Sequence, residues 1–530
     1  MATVVAPPRR RILPEVDIRE PDWLSRVPRW VPPLVAVVVL IAISAFLRTR
    51  YLSGQFWMDE ALSVGIASHH LGAIPGVLRH DGSPPLYYLL LHVWMQVFGN
   101  SESATHALSV VCGLLTIPVG MWGAWTLFGR RAAYMAAVLF AFNAFLTDYA
   151  QETRMYELMA LLGLLATIGF IHGFIYGRRK YLVLFAIAQA LMLYTHAWGI
   201  FFGAGSVIAL IPAYRVSEDR RALLRDAVLT YVGAGVLFLP WLPNFIYQAT
   251  HTAAPWDSAP RFGAPVQLSR NLLGGDRVTV ALLIAAVIGL VELFTRTRRR
   301  SRDATLLWAL IVLPTATLAL AWLASQVTPA WVARYFAPVL GSILLLAAWG
   351  SARARIVGIV AIAASVVFLY NPASYTPQYK SDVRDIGGEM APLLHPGDLV
   401  ISGQPEQVPL TWYYLPSGLR YANTIGPVSD PRYMNWVDAL KRLEHANPRA
   451  VLEPLIASLS PGQQLLFVRP MTEGAQSWKA PWTELVRRRS AQWGALLAAD
   501  PRLRPVAVAP HNYRGACCVA DSALLYVRVS

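Results

Sequence analysis

Residues 31–60 read VPPLVAVVVLIAISAFLRTRYLSGQFWMDE. The apolar run from Val31 to Leu47 meets the length that a bilayer crossing demands, about 17–25 residues. It follows Arg9, Arg10 and Arg11 and lacks a small-residue cleavage site, so it predicts a retained anchor helix rather than a removed signal peptide. Directly after this run the chain turns polar and sets two carboxylates side by side, Asp59 and Glu60.

The rest of the chain repeats this pattern. Hydrophobic residues make up 55% of the 530, and they come in long blocks rather than amphipathic stripes, which points to a membrane. Blocks at 31–48, 104–127, 132–147, 156–176, 181–195, 199–214, 227–246, 278–295, 303–324, 335–350 and 355–371 give eleven expected spans. A net charge of +15 would suit a nucleic-acid binder if the basic residues shared one soluble face. They lie instead in short clusters between apolar blocks: Arg130-Arg131, Arg178 to Lys180, Arg215 to Arg225, Arg296 to Arg302, and Arg353 with Arg355. That distribution excludes nucleic acid as a partner and reads as a set of topology signals.

If all those clusters are cytoplasmic, the N-terminus is cytoplasmic and the C-terminus outside. Pro84 to Phe98 tests the scheme, because counting it as a span would invert every later loop. Its paired prolines suit a helix start and its Tyr and Trp the headgroup layer, so it is expected to be a re-entrant or interfacial helix. The expected organisation is a cytoplasmic segment 1–30, a transmembrane domain 31–371 with an extracytoplasmic loop 49–103, and an extracytoplasmic α/β domain 372–530. In that last part β-like runs at 398–402, 465–468 and 524–529 alternate with helical patterns near 382–394, 433–446 and 481–499.

The polar residues that need explaining fall in the outer segments. The acid pair Asp59-Glu60 suits an ordinary helix start, since acids favour the first turn. His80-Asp81-Gly82-Ser83-Pro84-Pro85-Leu86-Tyr87-Tyr88 follows, and then Asp148-Tyr149-Ala150-Gln151-Glu152-Thr153-Arg154-Met155-Tyr156, where a local ion pair of Arg154 with Asp148 or Glu152 would be the plain reading. Arg334-Tyr335 stands at the outer end of a span, against the positive-inside bias, and snorkelling to lipid phosphates explains an arginine there equally well. His196 fits an interfacial histidine better than a ligand. Cys112, Cys517 and Cys518 have neither disulfide-framework nor metal-ligand spacing. Taken together, carboxylates and arginines on one side of a membrane suit transfer of a group from a lipid phosphate: a carboxylate accepts the proton of a hydroxyl, and a guanidinium holds the departing phosphate.

The order of these motifs resembles the GT-C glycosyltransferases: an Asp-Glu pair after the first span, a Pro-Pro-Leu-Tyr-Tyr helix start, a Gln-Glu-x-Arg-x-Tyr loop and a late Arg-Tyr-Phe-x-Pro. It is most similar to the bacterial branch related to protein O-mannosyltransferases and the lipid A aminoarabinose transferase, over about residues 31–350 and most strongly in the first 160. The resemblance implies a GT-C fold and inverting transfer of a sugar from a polyprenyl-phosphate donor to a hydroxyl of a protein, lipid or cell-wall glycan, outside a plasma membrane. It implies Asp59 as the base and Glu60 beside it, orienting the acceptor, with Arg154, Tyr156, Arg334 and Tyr335 at the donor phosphate and His80, Asp81, Asp148 and Glu152 in support. Many relatives have histidine before the two prolines where this chain has Ser83, which leaves the roles of His80 and Asp81 open. Some relatives bind a divalent cation near the acids, so a metal stays an open expectation. The competing readings are a transporter or flippase of a lipid-linked sugar and a non-catalytic assembly subunit. Transporters keep ionisable residues near the midplane, often in repeated halves; here they sit in outer loops without a repeat.

Overall fold

The computed structural model describes residues 31–252, 257–296, 302–369, 381–473, 478–509 and 522–530. The expectations for segment 1–30, for residues 297–301 of the fourth basic cluster and for Cys517-Cys518 lie outside the described residues.

The chain is a multi-pass helical membrane protein followed by a small sheet domain. Against eleven expected spans, six helices among the described residues are long and apolar enough to cross a membrane: Val31–Arg48, Glu102–Phe128, Tyr156–Ile175, Gly199–Val216, Ala304–Val327 and Ala333–Arg353. Two further pairs, Arg220–Phe238 with Leu242–His251 and Ala264–Leu273 with Asp276–Val291, bend by 77° and 89° at a short break and raise the number to eight if each pair is one span. The difference arises where apolar composition outruns helix length. Lys180–Thr195 and Ile356–Leu369 have 16 and 14 residues. The block read as 132–147 is divided: Arg130–Phe142 stops at Asn143, whose side chain accepts from the Leu146 amide at 3.0 Å and starts a new short helix, Ala144–Tyr149.

Pro84 to Phe98 contains one helix, Leu86–Phe98, of 13 residues, entered through Pro85. At 1.5 Å per residue it is about 20 Å long, short of the roughly 30 Å of a hydrocarbon core. It is fixed to its neighbours: Trp94 Nε1 donates to the Ala104 carbonyl at 2.7 Å, and His92 Nδ1 lies 2.8 Å from that of Ala67.

Small residues bring two spans into backbone contact. A Cβ at Gly163 would overlap the Pro338 carbonyl oxygen, and one at Gly341 would lie 2.7 Å from Leu164 Cα. Helices Tyr156–Phe170 and Ala337–Arg353 can therefore cross closely only because both carry glycine there. The crossing matters for the site, because Arg154 and Arg334 lie just ahead of these two helices.

The sheet domain has strands β1 (Leu399–Ser402), β2 (Arg420–Asn423), β3 (Gly426–Val428), β4 (Gln464–Val468), β5 (Leu503–Ala509) and β6 (Ala523–Arg528), in the order β3-β2-β1-β4-β6-β5. β1 pairs in parallel with β2 and β4, and the other pairings are antiparallel. Sequence patterning finds the buried central strands β1 and β4, and β6, but passes over β2 and β3, which are four and three residues long, and β5, whose Arg504-Pro505-Val506 stretch is exposed. Helix Pro481–Ala499 is found at its expected limits; Val408–Tyr414 and Pro448–Ala457 are not anticipated.

Candidate active site

The acid pair opens helix Met58–Ala67, and its two members point opposite ways. Glu60 is fully buried. Its Oε1 lies 2.7 Å from His106 Nε2 and accepts the Thr153 amide at 2.9 Å, while Oε2 accepts the Trp57 amide at 3.3 Å. Glu60 therefore ties the first loop to helix Glu102–Phe128 and to the loop before Tyr156, with its carboxylate facing the protein interior.

Asp59 faces the other way, its side chain 21% exposed. Arg334 Nη2 donates to Asp59 Oδ2 at 3.2 Å, and Arg154 Nη2 lies 3.9 Å from the same oxygen. Arg154 is fixed from below: its Nη1 donates to the Asp59 carbonyl and to Ser63 Oγ, both at 3.1 Å. The plain reading of Arg154 as the partner of its loop neighbours gives way to this long-range pairing. Arg334 Nε donates to Tyr156 Oη at 2.8 Å, and its guanidinium lies 5.1 Å from the Trp57 ring centre. One phenol and one carboxylate thus hold the Arg334 fork in a fixed plane.

The aromatic wall continues through Tyr335, whose ring centre is 6.4 Å from that of Tyr156 and 4.5 Å from that of His196. His196 Nδ1 accepts the Trp198 amide at 3.1 Å. Burial first, and then Arg154 and Arg334, push His196 down to about 3, so it stays a neutral part of the wall. Sequence reading placed it at an interface; the fold places it behind Tyr335.

Asp81 is buried and close enough to Asp59 and Arg154 to feel both charges. Desolvation pushes its carboxyl up to about 6, with the adjacent Ser83 and Arg154 opposing the shift and Asp59 adding to it. His80 does not join the site with its ring: Nδ1 turns back to the Gly76 carbonyl at 3.0 Å, while the His80 carbonyl accepts the Trp436 amide at 2.9 Å. Asp148 is exposed on the short helix Ala144–Tyr149, and Glu152 is half-buried, its carbonyl accepting from Ser109 Oγ at 2.6 Å.

Trp57, Ser63, His106 and Thr153 carry no motif that sequence reading can isolate, and they enter only through their contacts. The same holds for Arg48 and Glu157, fully buried at the ends of two spans. A Cβ on Gly113 would lie 2.5 Å from Arg48 Nη1 and 2.6 Å from a Glu157 oxygen, so only glycine leaves room for both side chains there.

No three His, Cys, Asp or Glu side chains come together to hold a metal ion among the described residues. With two guanidiniums against Asp59, the residues present do not fit a divalent cation. What the arrangement offers is a partly exposed carboxylate, able to take a proton, fixed beside two cationic forks, able to hold a phosphate.

Residues 82–247 match the family model described as dolichyl-phosphate-mannose-protein mannosyltransferase. Among solved structures, the chain is similar to ArnT from Cupriavidus metallidurans in the apo state, with a TM-score of 0.63 at 14% identity over 94% of this chain and 98% of that one. The same protein bound to undecaprenyl phosphate gives 0.62 at 14% identity over 92% and 97%. The oligosaccharyltransferase of Archaeoglobus fulgidus in its apo form gives 0.54 at 14% identity over 90% and 73%. At these identities the likeness is one of fold. Comparison with curated protein sequences finds no match.

Proposed function

We propose that this chain, a GT-C superfamily protein resembling ArnT and the protein O-mannosyltransferases, is an inverting glycosyltransferase. It moves a sugar, a mannose-like hexose or a pentose, from a polyprenyl-phosphate donor to a hydroxyl of a protein, lipid or cell-wall glycan at the outer face of the plasma membrane. On this reading the N-terminus is cytoplasmic and the sheet domain extracytoplasmic. The observation that carries the proposal is the Asp59 carboxylate held within 3.2 Å and 3.9 Å of the guanidiniums of Arg334 and Arg154. That ArnT is known with undecaprenyl phosphate bound lends support to a lipid phosphate as donor.

In the proposed step Asp59 takes the proton of the acceptor hydroxyl as its oxygen bonds to the anomeric carbon. The bond from that carbon to the phosphate oxygen breaks on the opposite face, which inverts the centre. The carrier leaves as a monophosphate with one more negative charge than it had in the diester, and Arg334 and Arg154 stabilise that charge as it develops. Tyr156 and Tyr335 keep the arginines in place and line the donor side, with Asp81, Asp148 and Glu152 around them.

The test is transfer by purified protein in lipid, offered radiolabelled polyprenyl-phosphate mannose or polyprenyl-phosphate arabinose with a membrane or wall extract, wild type beside Asp59→Asn. Label reaching the acceptor with the wild type alone supports the proposal. Intact donor carried across the bilayer without transfer would replace it with a transporter.

A further inference from the structure

We infer that the sheet domain positions Asp59: it grips helix Met58–Ala67 and the residues leading into it, so that Ser381, Gln404 and Tyr414 act on the reacting carboxylate from outside the membrane bundle. The catalytic half of this inference rests on the glycosyl transfer proposed above; the grip itself does not.

The lead-in residues Gln55 to Met58 are held by three separate parts of the sheet domain. Gln55 Nε2 donates to the Ser381 carbonyl. Ser381 Oγ donates to the Phe56 carbonyl at 2.7 Å, and the Phe56 amide donates to Tyr414 Oη at 2.7 Å. Tyr414 in turn donates to Glu102 Oε1 at 3.0 Å, so its hydroxyl joins the sheet domain, the catalytic loop and the start of span Glu102–Phe128. Gln404 Nε2 reaches the Met58 sulfur at 3.4 Å.

Gln404 occupies a telling place. In an open α/β sheet, ligands bind beyond the carboxyl ends of parallel strands, at the point where neighbouring connections run to opposite sides. Here that point lies between β1, which continues to β2, and β4, which continues to β5 and β6 on the other side. Gln404 lies two residues past the end of β1, and the group it reaches is the protein's own Met58, next to Asp59. Its amide is aimed by a buried relay: Gln404 Nε2 and Trp482 Nε1 donate to Glu406 Oε1 at 2.8 Å and 2.9 Å.

The far side of the helix is gripped as well. A Cβ at Gly65 would overlap the Arg432 carbonyl oxygen, so the loop from the sheet domain lies directly on the helix backbone. At the helix end, His69 Nε2 is 2.8 Å from Asp430 Oδ2, and Asp430 also takes Arg432 Nε and Nη2 at 2.8 Å each. The helix carrying Asp59 is thus held before its first turn, along its middle and at its end, while Arg334 and Arg154 are supplied by the membrane bundle.

The experiment uses the full-length protein in lipid nanodiscs, wild type beside Tyr414→Phe and Gln404→Ala, with two readouts: amide hydrogen exchange over residues 56–63, and transfer kinetics with radiolabelled polyprenyl-phosphate mannose and arabinose. Tyr414→Phe keeps the ring and removes one hydroxyl. The expected result is exchange about 10-fold faster at those amides with an unchanged melting temperature. The same variants should lose about 10-fold in kcat at an unchanged donor KM, and add no further loss in an Asp59→Asn background. Unchanged exchange in both variants overturns the grip. Faster exchange with unchanged kcat, or a loss that adds fully to that of Asp59→Asn, overturns the positioning of Asp59. Faster exchange in the variants, with a wild type that transfers neither sugar, supports the grip and counts against glycosyl transfer instead.

Discussion

Arg334 and Asp59 stand 275 residues apart in the chain and meet at 3.2 Å, Nη2 donating to Oδ2. Side chains 22% and 21% exposed make this pair neither a surface ion pair, worth little, nor a sealed one, inert to ligand. On the proposed reading, a phosphate entering beside Arg334 would share the fork and leave the carboxylate free to accept a proton.

Asp59→Asn keeps shape and removes the acceptor of that proton. Transfer should fall by about 10²–10⁴-fold, while yield and melting temperature stay near those of the wild type, since an amide oxygen at the same place still accepts from Arg334. Transfer rate and a thermal melt on one preparation check this. Retained activity would remove Asp59 as the base.

Arg334→Ala should lower kcat/KM for the lipid-linked donor by about 10²–10³-fold, the loss typical when a group that stabilises developing charge is removed. Arg334→Lys should recover little of it, because an ammonium cannot serve Tyr156 and Asp59 in one fixed plane as the guanidinium does. Donor titrations across Ala, Lys and wild type distinguish the two. Full recovery by lysine would reduce Arg334 to a point charge.

Glu60 behaves differently from its neighbour. Glu60→Ala leaves His106 Nε2 and the Thr153 amide without their buried acceptor. The cost should be about 1–3 kcal/mol for each buried group left without its partner. Yield and melting temperature should drop together, in contrast to Asp59→Asn. A Glu60→Ala protein of normal stability that has lost only activity would return Glu60 to the chemistry.

Asp81 carries a pH signature. Its folded value of about 6 lies above the 3.8 of an unperturbed aspartate, so the folded protein holds this proton more tightly than the unfolded chain does. Its contribution is present below about pH 4 and is lost as pH rises through about 6. Over that window the wild type should lose up to about 3 kcal/mol relative to Asp81→Asn, roughly two pKa units of linkage. Melting curves of both proteins from pH 4 to 8 test it; parallel curves would show that Asp81 titrates as a free carboxyl.

Sequence alone determined what depends on local composition. Apolar blocks marked the helical membrane part, mixed patterning marked a sheet domain in the tail, and the spacing of Asp59, Arg154 and Arg334 against those blocks picked out the residues the fold then gathers. Hydropathy registers apolar residues without registering where Asn143 ends one helix and starts another, so the block 132–147 reads as one segment where the fold has two helices. Sequence could not tell Asp59 from Glu60: the two are adjacent, and only the direction in which helix Met58–Ala67 turns its faces sends one carboxylate to the arginines and the other to His106. Nor could it attach residues 381–414 to residues 55–58, since such pairings arise from long-range packing and leave no periodicity in either segment. The candidate residue types were written locally, at loop ends; which atom faces which was settled by the crossing of helices at Gly163 and Gly341 and by the docking of a domain more than 300 residues away in the chain.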